Sequence, residues 1–231
     1  MTKVWWKILC VVLLVLAIVG GLLVKIPNLP VLGETIRNLF YHVGMWAAMF
    51  TLFTCSLVHS IKYLSNGKLK SDIAASAYAS TGIIFGLLGY ATGAVWASYT
   101  WADPNNPAFD SFSAVAREPK LIGTAIALLI YLAYFILRSS IQDMDQRAKI
   151  SAVYNIFAFA MLFPTIMIVP RILPSLHPGQ EGNPALNFKD TSPEMRLLEY
   201  PAFIGWALLG VWITTLKIRL EKIKEKQFIK E

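Results

Sequence analysis

Charged residues are scarce in this sequence, since Asp, Glu, Lys and Arg together make up 15% of its 231 residues. Soluble globular domains carry about 25% charged residues. Hydrophobic residues reach 56%, and they fall into long runs that alternate with short polar stretches. The shortage of charge therefore argues against a soluble domain, and the alternation is typical of membrane spans joined by loops.

Cysteine is also rare, because Cys10 and Cys55 are the only two, and both lie within hydrophobic runs. The absence of CxxC and CxxCH excludes a paired-thiol metal site, a redox pair and covalent haem attachment of that kind. The sequence also lacks GxxxxGK[ST], which excludes ATP hydrolysis by a P-loop. We interpret the two cysteines as buried, inert thiols.

Six hydrophobic segments approach the ~20-residue length that an α-helix needs to cross the hydrocarbon core. They predict an all-α, polytopic membrane protein with a single domain and six spans, at residues 4–24, 39–63, 73–99, 121–137, 152–169 and 197–216. The first segment is long for the core of a signal peptide and no small-x-small cleavage site follows it, so we expect a retained helix. Pro164 and Pro170 are expected to kink or end the fifth helix.

The predicted orientation follows from the distribution of Lys and Arg. With the N-terminus inside, the inner segments hold 14 of the 21 basic residues and the outer segments hold seven. Both termini and the charged tail at 217–231 are therefore predicted to be cytoplasmic, and the long loops 100–120 and 171–196 to be outside. The excess of Lys and Arg on the cytoplasmic side of membrane proteins explains the net charge of +7, so no nucleic-acid partner is needed to explain it.

Only three histidines are present. His42 and His59 are predicted on the second span, and their positions in the sequence place them about 26 Å apart along the helix axis. His42 is expected near the outer face, His59 near the inner face, and His177 in the long outer loop before the last span. Two of the three histidines are thus predicted to lie on one side of the membrane.

A pair of imidazoles on one face suits the two axial positions of a haem iron, whereas zinc needs more ligands than the outer face offers. Aromatic side chains that could contact haem are available at Trp46, Trp96 and Trp101. Guanidinium groups that could contact the haem propionates are available at Arg37, Arg117 and Arg171. The competing interpretation is a packed, hydrogen-bonded His42 and tryptophans that belong to the interfacial belts.

Three segments of the chain can be compared with a known family. RNLFYHVGMW at 37–46 and SLHPG at 175–179 resemble the two histidine motifs of the cytochrome c maturation protein C family, also called haem exporter protein C. GAVWASYTW at 93–101 is similar to the start of that family's tryptophan-rich WWD segment. Further likeness at 147–159 and 204–216 extends the resemblance over nearly the whole chain.

The resemblance implies a haem-binding protein of cytochrome c biogenesis in the bacterial inner membrane, a delivery component and not an enzyme. It implies that His42 and His177 are axial ligands of a non-covalently bound haem b, with Trp96 and Trp101 in a platform against the haem face. It also implies a periplasmic haem chaperone as the recipient, with an ABC-type ATPase and small membrane subunits as further partners.

The segment after Trp101 departs from the family pattern. The family continues with further tryptophans and an aspartate, whereas this chain has no tryptophan until Trp206. The sequence EPK at 118–120 is expected to take the place of the family's Asp-Pro-Lys, with Phe109 and Phe112 supplying aromatic surface.

This departure leaves alternatives to haem delivery open. One is a cytochrome c haem-lyase or synthetase subunit, although such members have more spans and a fuller WWD segment. Another is a structural subunit of the maturation complex with weakened haem binding. An electron-transfer cytochrome is a third alternative, but it would need partner histidines at both depths of the membrane, and no other intramembrane histidine is present.

Overall fold

The computed structural model describes residues 3–26, 32–103, 105–106, 110–175, 177 and 191–228. Within these residues the protein is all-helical, and six helices are long and apolar enough to cross a membrane. In chain order the helices are α1 (Trp5–Leu23), α2 (Gly33–Asn66), α3 (Leu69–Thr100), the short α4 (Ser111–Ala116), α5 (Pro119–Ser140), α6 (Met144–Ile172) and α7 (Pro193–Phe228). The predicted all-α architecture with six candidate spans is confirmed.

Five of the six spans extend beyond the hydrophobic segments that predicted them, and α1 is the exception. α2 begins with the 3₁₀ turn Gly33–Asn38 and ends at Asn66. Gly67 follows it with a φ of 63°, in the left-handed region that glycine adopts without a steric penalty. α3 begins only two residues later, at Leu69. Hydropathy misses these end turns because they carry polar residues outside the hydrocarbon.

The prolines of α6 distort the helix before they end it. Residues Phe163–Ile168 form a wider π-helical segment around Pro164, and the helix ends at Ile172, soon after Pro170. A proline lacks an amide N–H and its ring displaces the carbonyl of the preceding turn. The Thr165 carbonyl in this segment contacts α5 so closely that a methyl group on Gly123 would approach it to 1.9 Å.

The bundle has two ends of different character. At one end, which we call the turn end, short connections join α2 to α3 and α5 to α6. The start of α1 lies at the same end, since the rings of Trp6 and Trp212 are 6.1 Å apart. At the other end, which we call the loop end, long connections follow α3 and α6. The start of α7 meets the last turn of α1 there, where Leu198 packs against Gly20.

Buried polar contacts join the spans between these ends. Asn155 of α6 donates hydrogen bonds of 2.7 Å to the hydroxyls of Ser56 and Ser60 on α2. Closer to the turn end, Arg138 of α5 forms a two-pronged ion pair with the buried Asp72 of α3, at 2.6 and 2.5 Å. Such hydrogen bonds fix the spans relative to one another where apolar contact alone is unspecific.

Candidate functional site

Close packing of α2 against α3 positions the first histidine. A face of α3 carries glycines three or four residues apart, at Gly82, Gly86, Gly89 and Gly93. A methyl group on Gly82 would lie 2.7 Å from Phe53, and one on Gly93 would lie 2.6 Å from Cε1 of His42. Small residues at this spacing allow helix backbones to approach closely in membranes. The imidazole of His42 therefore lies directly against the backbone of α3.

Both ring nitrogens of His42 have hydrogen-bond partners. Nδ1 lies 3.1 Å from the hydroxyl of Thr92, and Nε2 accepts a hydrogen bond of 3.1 Å from the indole of Trp46. An indole N–H can only donate, so the proton of the neutral ring is on Nδ1 and is donated to Thr92. The lone pair of Nε2, the atom that could bind a metal, is therefore directed at Trp46.

Two tryptophan rings enclose this imidazole edge-on. The ring centroids of Trp46 and Trp96 lie 5.9 and 6.0 Å from that of His42. Trp96 is held in turn by a hydrogen bond of 3.0 Å from its indole to the hydroxyl of Thr35. His42 is 8% exposed, so it sits in a mostly aromatic enclosure at the loop end.

An open groove lies beside the enclosure, between the start of α2 and the end of α3. Its volume is about 660 Å³, within the ~300–1,000 Å³ common for small-molecule sites. Its lining combines aromatic and polar side chains and includes Thr35, Arg37, Tyr41, Thr92, Trp96 and Tyr99. An extended, largely apolar ligand would therefore find contacts next to His42.

His177, the second histidine of the loop end, is linked through Ser175 to the buried carboxylate of Glu118. The ring of His177 lies edge-on to Trp101, with centroids 6.1 Å apart, and its backbone N–H donates to the Ser175 hydroxyl over 3.1 Å. Ser175 makes a short hydrogen bond to Glu118. Glu118 is 4% exposed and also accepts from the N–H of Lys120 at the start of α5. Glu118 thus anchors the chain next to His177.

The end of α3 connects the two histidines. Trp96 contacts His42, and Trp101, the residue after α3, contacts His177. The two tryptophans are about 7.5 Å apart along the helix axis at 1.5 Å per residue. His42 and His177 thus lie at the same end of the bundle, each against a tryptophan near the end of α3. The structure therefore brings together both predicted axial ligands and both predicted platform tryptophans.

The three predicted propionate contacts are not equivalent. Arg37 donates hydrogen bonds of 2.7 and 2.9 Å to the carbonyls of Gly21 and Val24 at the end of α1, and one of 2.7 Å to Glu34. Part of its guanidinium is thus committed to holding α1 against α2. Arg117 and Arg171 are exposed at the loop end, and Arg171 donates within its own helix to the Met167 carbonyl.

The segment after Trp101 contains the short helix α4, which hydropathy did not predict. Its first turn is capped by Asp110, whose carboxylate accepts from the N–H of Ser113 over 2.7 Å. This hydrogen bond holds the pKa of Asp110 below its usual range. Phe112 lies on α4 with 80% of its surface exposed. Phe109 lies outside the described residues, as do the neighbours of His177 in the second motif, at 176 and 178–179.

The third histidine lies at the opposite end of α2. His59 stacks on Tyr78 with the ring centroids 5.6 Å apart and the planes 12° from parallel. No cluster of three or more His, Cys, Asp or Glu that could hold a metal ion occurs in the described part of the chain. The histidines are therefore divided between two separate environments.

Comparison with known proteins agrees with these motifs. A family model described as Heme exporter protein C (CcmC) matches residues 1–230. The chain belongs to this family. It is 26% identical over 192 residues to the Heme exporter protein C of Paracoccus denitrificans (strain Pd 1222), covering 82% of this chain and 74% of the relative. It is 25% identical over 200 residues to that of Haemophilus influenzae (strain ATCC 51907 / DSM 11121 / KW20 / Rd), covering 84% and 74%.

Two contacts in this CcmC-family chain were not predicted from the sequence. The hydrogen bond from Trp46 to His42 joins residues one helical turn apart, a spacing that the first motif contains. The bond between Ser175 and Glu118 joins distant segments, and its only sequence signal was the Glu-Pro pair typical of a helix start. The glycine spacing on α3 was visible in the sequence and would have predicted the close contact with α2.

Proposed function

We propose that this protein binds haem at the loop end and exports it for cytochrome c biogenesis. Family membership supports haem export as the class of function. The observation that carries the proposal is the pairing of each loop-end histidine with a tryptophan from the end of α3, His42 with Trp96 and His177 with Trp101. Two imidazoles and flat aromatic surface are what a bis-histidine haem site requires.

In this proposal Nε2 of His42 and the ring of His177 are the axial ligands. The hydrogen bond from Nδ1 of His42 to Thr92 supports the assignment, since a ligating histidine commonly donates its other N–H to a neighbouring oxygen. Trp46 must release Nε2 when haem binds, because its indole N–H engages the same lone pair. Glu118 acts on His177 through Ser175, as a positioning residue.

The remaining parts of the site have complementary roles. Trp96 and Trp101 form the aromatic platform, and the neighbouring groove accommodates the rest of the macrocycle. Arg117, Arg171 and the uncommitted N–H groups of Arg37 contact the propionates, which an exposed guanidinium binds well. Haem is bound without a covalent bond, as a cargo that has to leave again.

The proposed orientation places the loop end in the periplasm. It is supported by the sequence, in which 14 of the 21 basic residues fall in the segments predicted to be inside and seven in those predicted to be outside. Haem presented there is accessible to a periplasmic haem chaperone. Because the chain contains no P-loop, energy from ATP has to come from a separate ABC-type ATPase, working with small membrane subunits.

The test uses the full-length protein purified with haem supplied, with haem content and absorption spectra recorded in both oxidation states. His42→Ala and His177→Ala should each lower haem content at least tenfold and change the spectrum of the remainder. His59→Ala is the matched control, since it removes an imidazole from the same helix at the opposite end, and it should retain haem. Unchanged haem content and spectra in the first two variants would refute the ligand assignment.

A further inference from the structure

The turn end contains a pocket that haem export does not use. It lies between the end of α2, the start of α3 and α7, and its volume is about 390 Å³. Its base is formed by His59 and Tyr78, and its rim carries four lysines, Lys62, Lys68, Lys70 and Lys222. No Asp or Glu occurs among the described residues that line it.

The four ammonium groups of the rim have no carboxylate partner among the residues that the structure describes. Asp72, close by on α3, is fully engaged by Arg138. The positive-inside tendency explains why lysines are frequent at this end, but not why four converge on one pocket despite their mutual repulsion. An anionic ligand would remove that repulsion.

The base of the pocket adds an independent indication. Nδ1 of His59 is buried and has no hydrogen-bond partner in the structure as described. Because Nδ1 has no accessible surface, the nitrogen that His59 presents to the pocket is Nε2, which is not among the buried atoms. The ring is held in place by stacking on Tyr78. An oxygen-rich anion in the pocket would contact Nε2 and the lysines together.

The position of the pocket across the membrane indicates that its ligand is a lipid. The α-helical part of α2, Leu39–Asn66, has 28 residues and is therefore about 42 Å long, the thickness of a bilayer with its headgroups. Its last turns, which carry Lys62, thus lie at headgroup depth. Val58 and Ile61, just before Lys62 and deeper in the membrane, are 41% and 51% exposed and offer apolar surface to acyl chains.

We propose that this pocket binds the phosphate group of an anionic phospholipid. The lysines contact the phosphate oxygens, the imidazole of His59 shares a hydrogen bond with the headgroup, and the acyl chains follow the apolar surface of α2. Basic pockets between spans on the cytoplasmic side are suited to such headgroups. The site is about 26 Å along α2 from His42 and is independent of the proposed haem site.

The experiment measures binding of phosphatidylglycerol and of phosphatidylcholine to the full-length protein in detergent by native mass spectrometry. The wild type should bind one phosphatidylglycerol at least tenfold more tightly than phosphatidylcholine. Lys62→Gln/Lys68→Gln/Lys70→Gln should weaken that binding by about 100-fold, since each lysine contributes about fivefold. Lys3→Gln/Lys149→Gln/Lys217→Gln removes equal charge from the turn end outside the pocket and should bind as the wild type does.

His59→Gln provides a second variant that leaves the lysines intact, and it should weaken phosphatidylglycerol binding several-fold. Equal loss in the two triple variants would overturn the proposal in favour of diffuse attraction. Displacement of the lipid by millimolar inorganic phosphate would identify free phosphate as the ligand instead. If Lys62→Gln/Lys68→Gln/Lys70→Gln binds lipid as the wild type does but loses a subunit that co-purifies with the wild type, the lysines bind an acidic protein partner and the proposal is wrong.

Discussion

His42 and His59 lie on one helix and against one neighbour, yet they differ in every contact. At the loop end, the imidazole of His42 is enclosed by two tryptophans and both nitrogens have partners. At the turn end, the imidazole of His59 stacks on a tyrosine, and its buried Nδ1 has no partner among the described residues. The presence of a histidine therefore does not predict its role, because the side chains around each imidazole determine which ligand that end of the bundle can bind.

The difference between the two ends originates in α3. Near the loop end α3 supplies a glycine, a threonine and a tryptophan to His42, at Gly93, Thr92 and Trp96. Near the turn end it supplies Tyr78 and Lys70 to the pocket around His59. One packing partner thus provides an aromatic environment at one end and a cationic one at the other.

The largest expected effect is on stability, and it tests whether damage at the turn end affects haem binding at the loop end. Asp72→Asn leaves the guanidinium of Arg138 without its buried partner, which should destabilise the protein by about 3–5 kcal/mol. Glu34→Gln is the control, because it breaks the exposed pair with Arg37 and should cost less than about 1 kcal/mol. Thermal unfolding in detergent measures both. Loss of haem from folded Asp72→Asn protein would show that the two ends are coupled.

The next largest effect tests whether α3 positions His42. Gly93→Val places methyl groups where the imidazole lies, so we expect haem affinity to fall more than tenfold. Gly82→Val crowds Phe53 in the same way, away from the histidine, and should lower stability while the affinity of the folded protein stays unchanged. Haem titrations of both variants compare them. Equal loss of affinity would mean that general packing of α2 matters and the position of His42 does not.

Removal of the anchor next to His177 should have a somewhat smaller effect. Glu118→Ala takes away a charge-assisted hydrogen bond worth about 1.5–3 kcal/mol, and haem affinity should fall about tenfold as His177 loses its fixed position. In a His177→Ala background the same change should add little, because both substitutions act on one ligand. Additive losses in the double variant would assign Glu118 a role independent of His177.

The smallest expected effect has the opposite sign. Trp46→Phe removes the indole N–H that engages Nε2 of His42, and a net hydrogen bond is worth about 0.5–1.5 kcal/mol. Haem affinity should therefore rise between twofold and tenfold. Trp206→Phe is the control, since it removes a comparable bond of 3.2 Å to the Phe40 carbonyl. Weaker haem binding in Trp46→Phe would show that Trp46 contributes to the site directly and is not a competitor for the lone pair.

Hydropathy predicted the helices well because each span has to be apolar over a length that the bilayer imposes. It missed α4, since six residues are too few for a helical period and only the cap at Asp110 marks the start. It also made the helices too short wherever polar turns continue a helix, as at the start of α2, which was predicted at residue 39 and lies at Gly33.

The sequence predicted which residues belong to the candidate site. It did not predict the hydrogen bonds between them. Which nitrogen of His42 carries the proton depends on the rotamer of Trp46 and on the register between α2 and α3, and neither is visible in a motif. The bond between Ser175 and Glu118 depends on how a long connection returns to the start of α5. Contacts of this kind are decided by the tertiary arrangement of the helices.

The length of α2 has a mechanical consequence. Because Leu39–Asn66 is one unbroken α-helix, the distance between the two ends of the bundle cannot adjust to the membrane around it. In a thinner bilayer the helices tilt, because they cannot shorten. Such a tilt displaces His42 and His59 sideways in opposite directions, so a change in lipid composition reorients the loop end relative to whatever partner docks there.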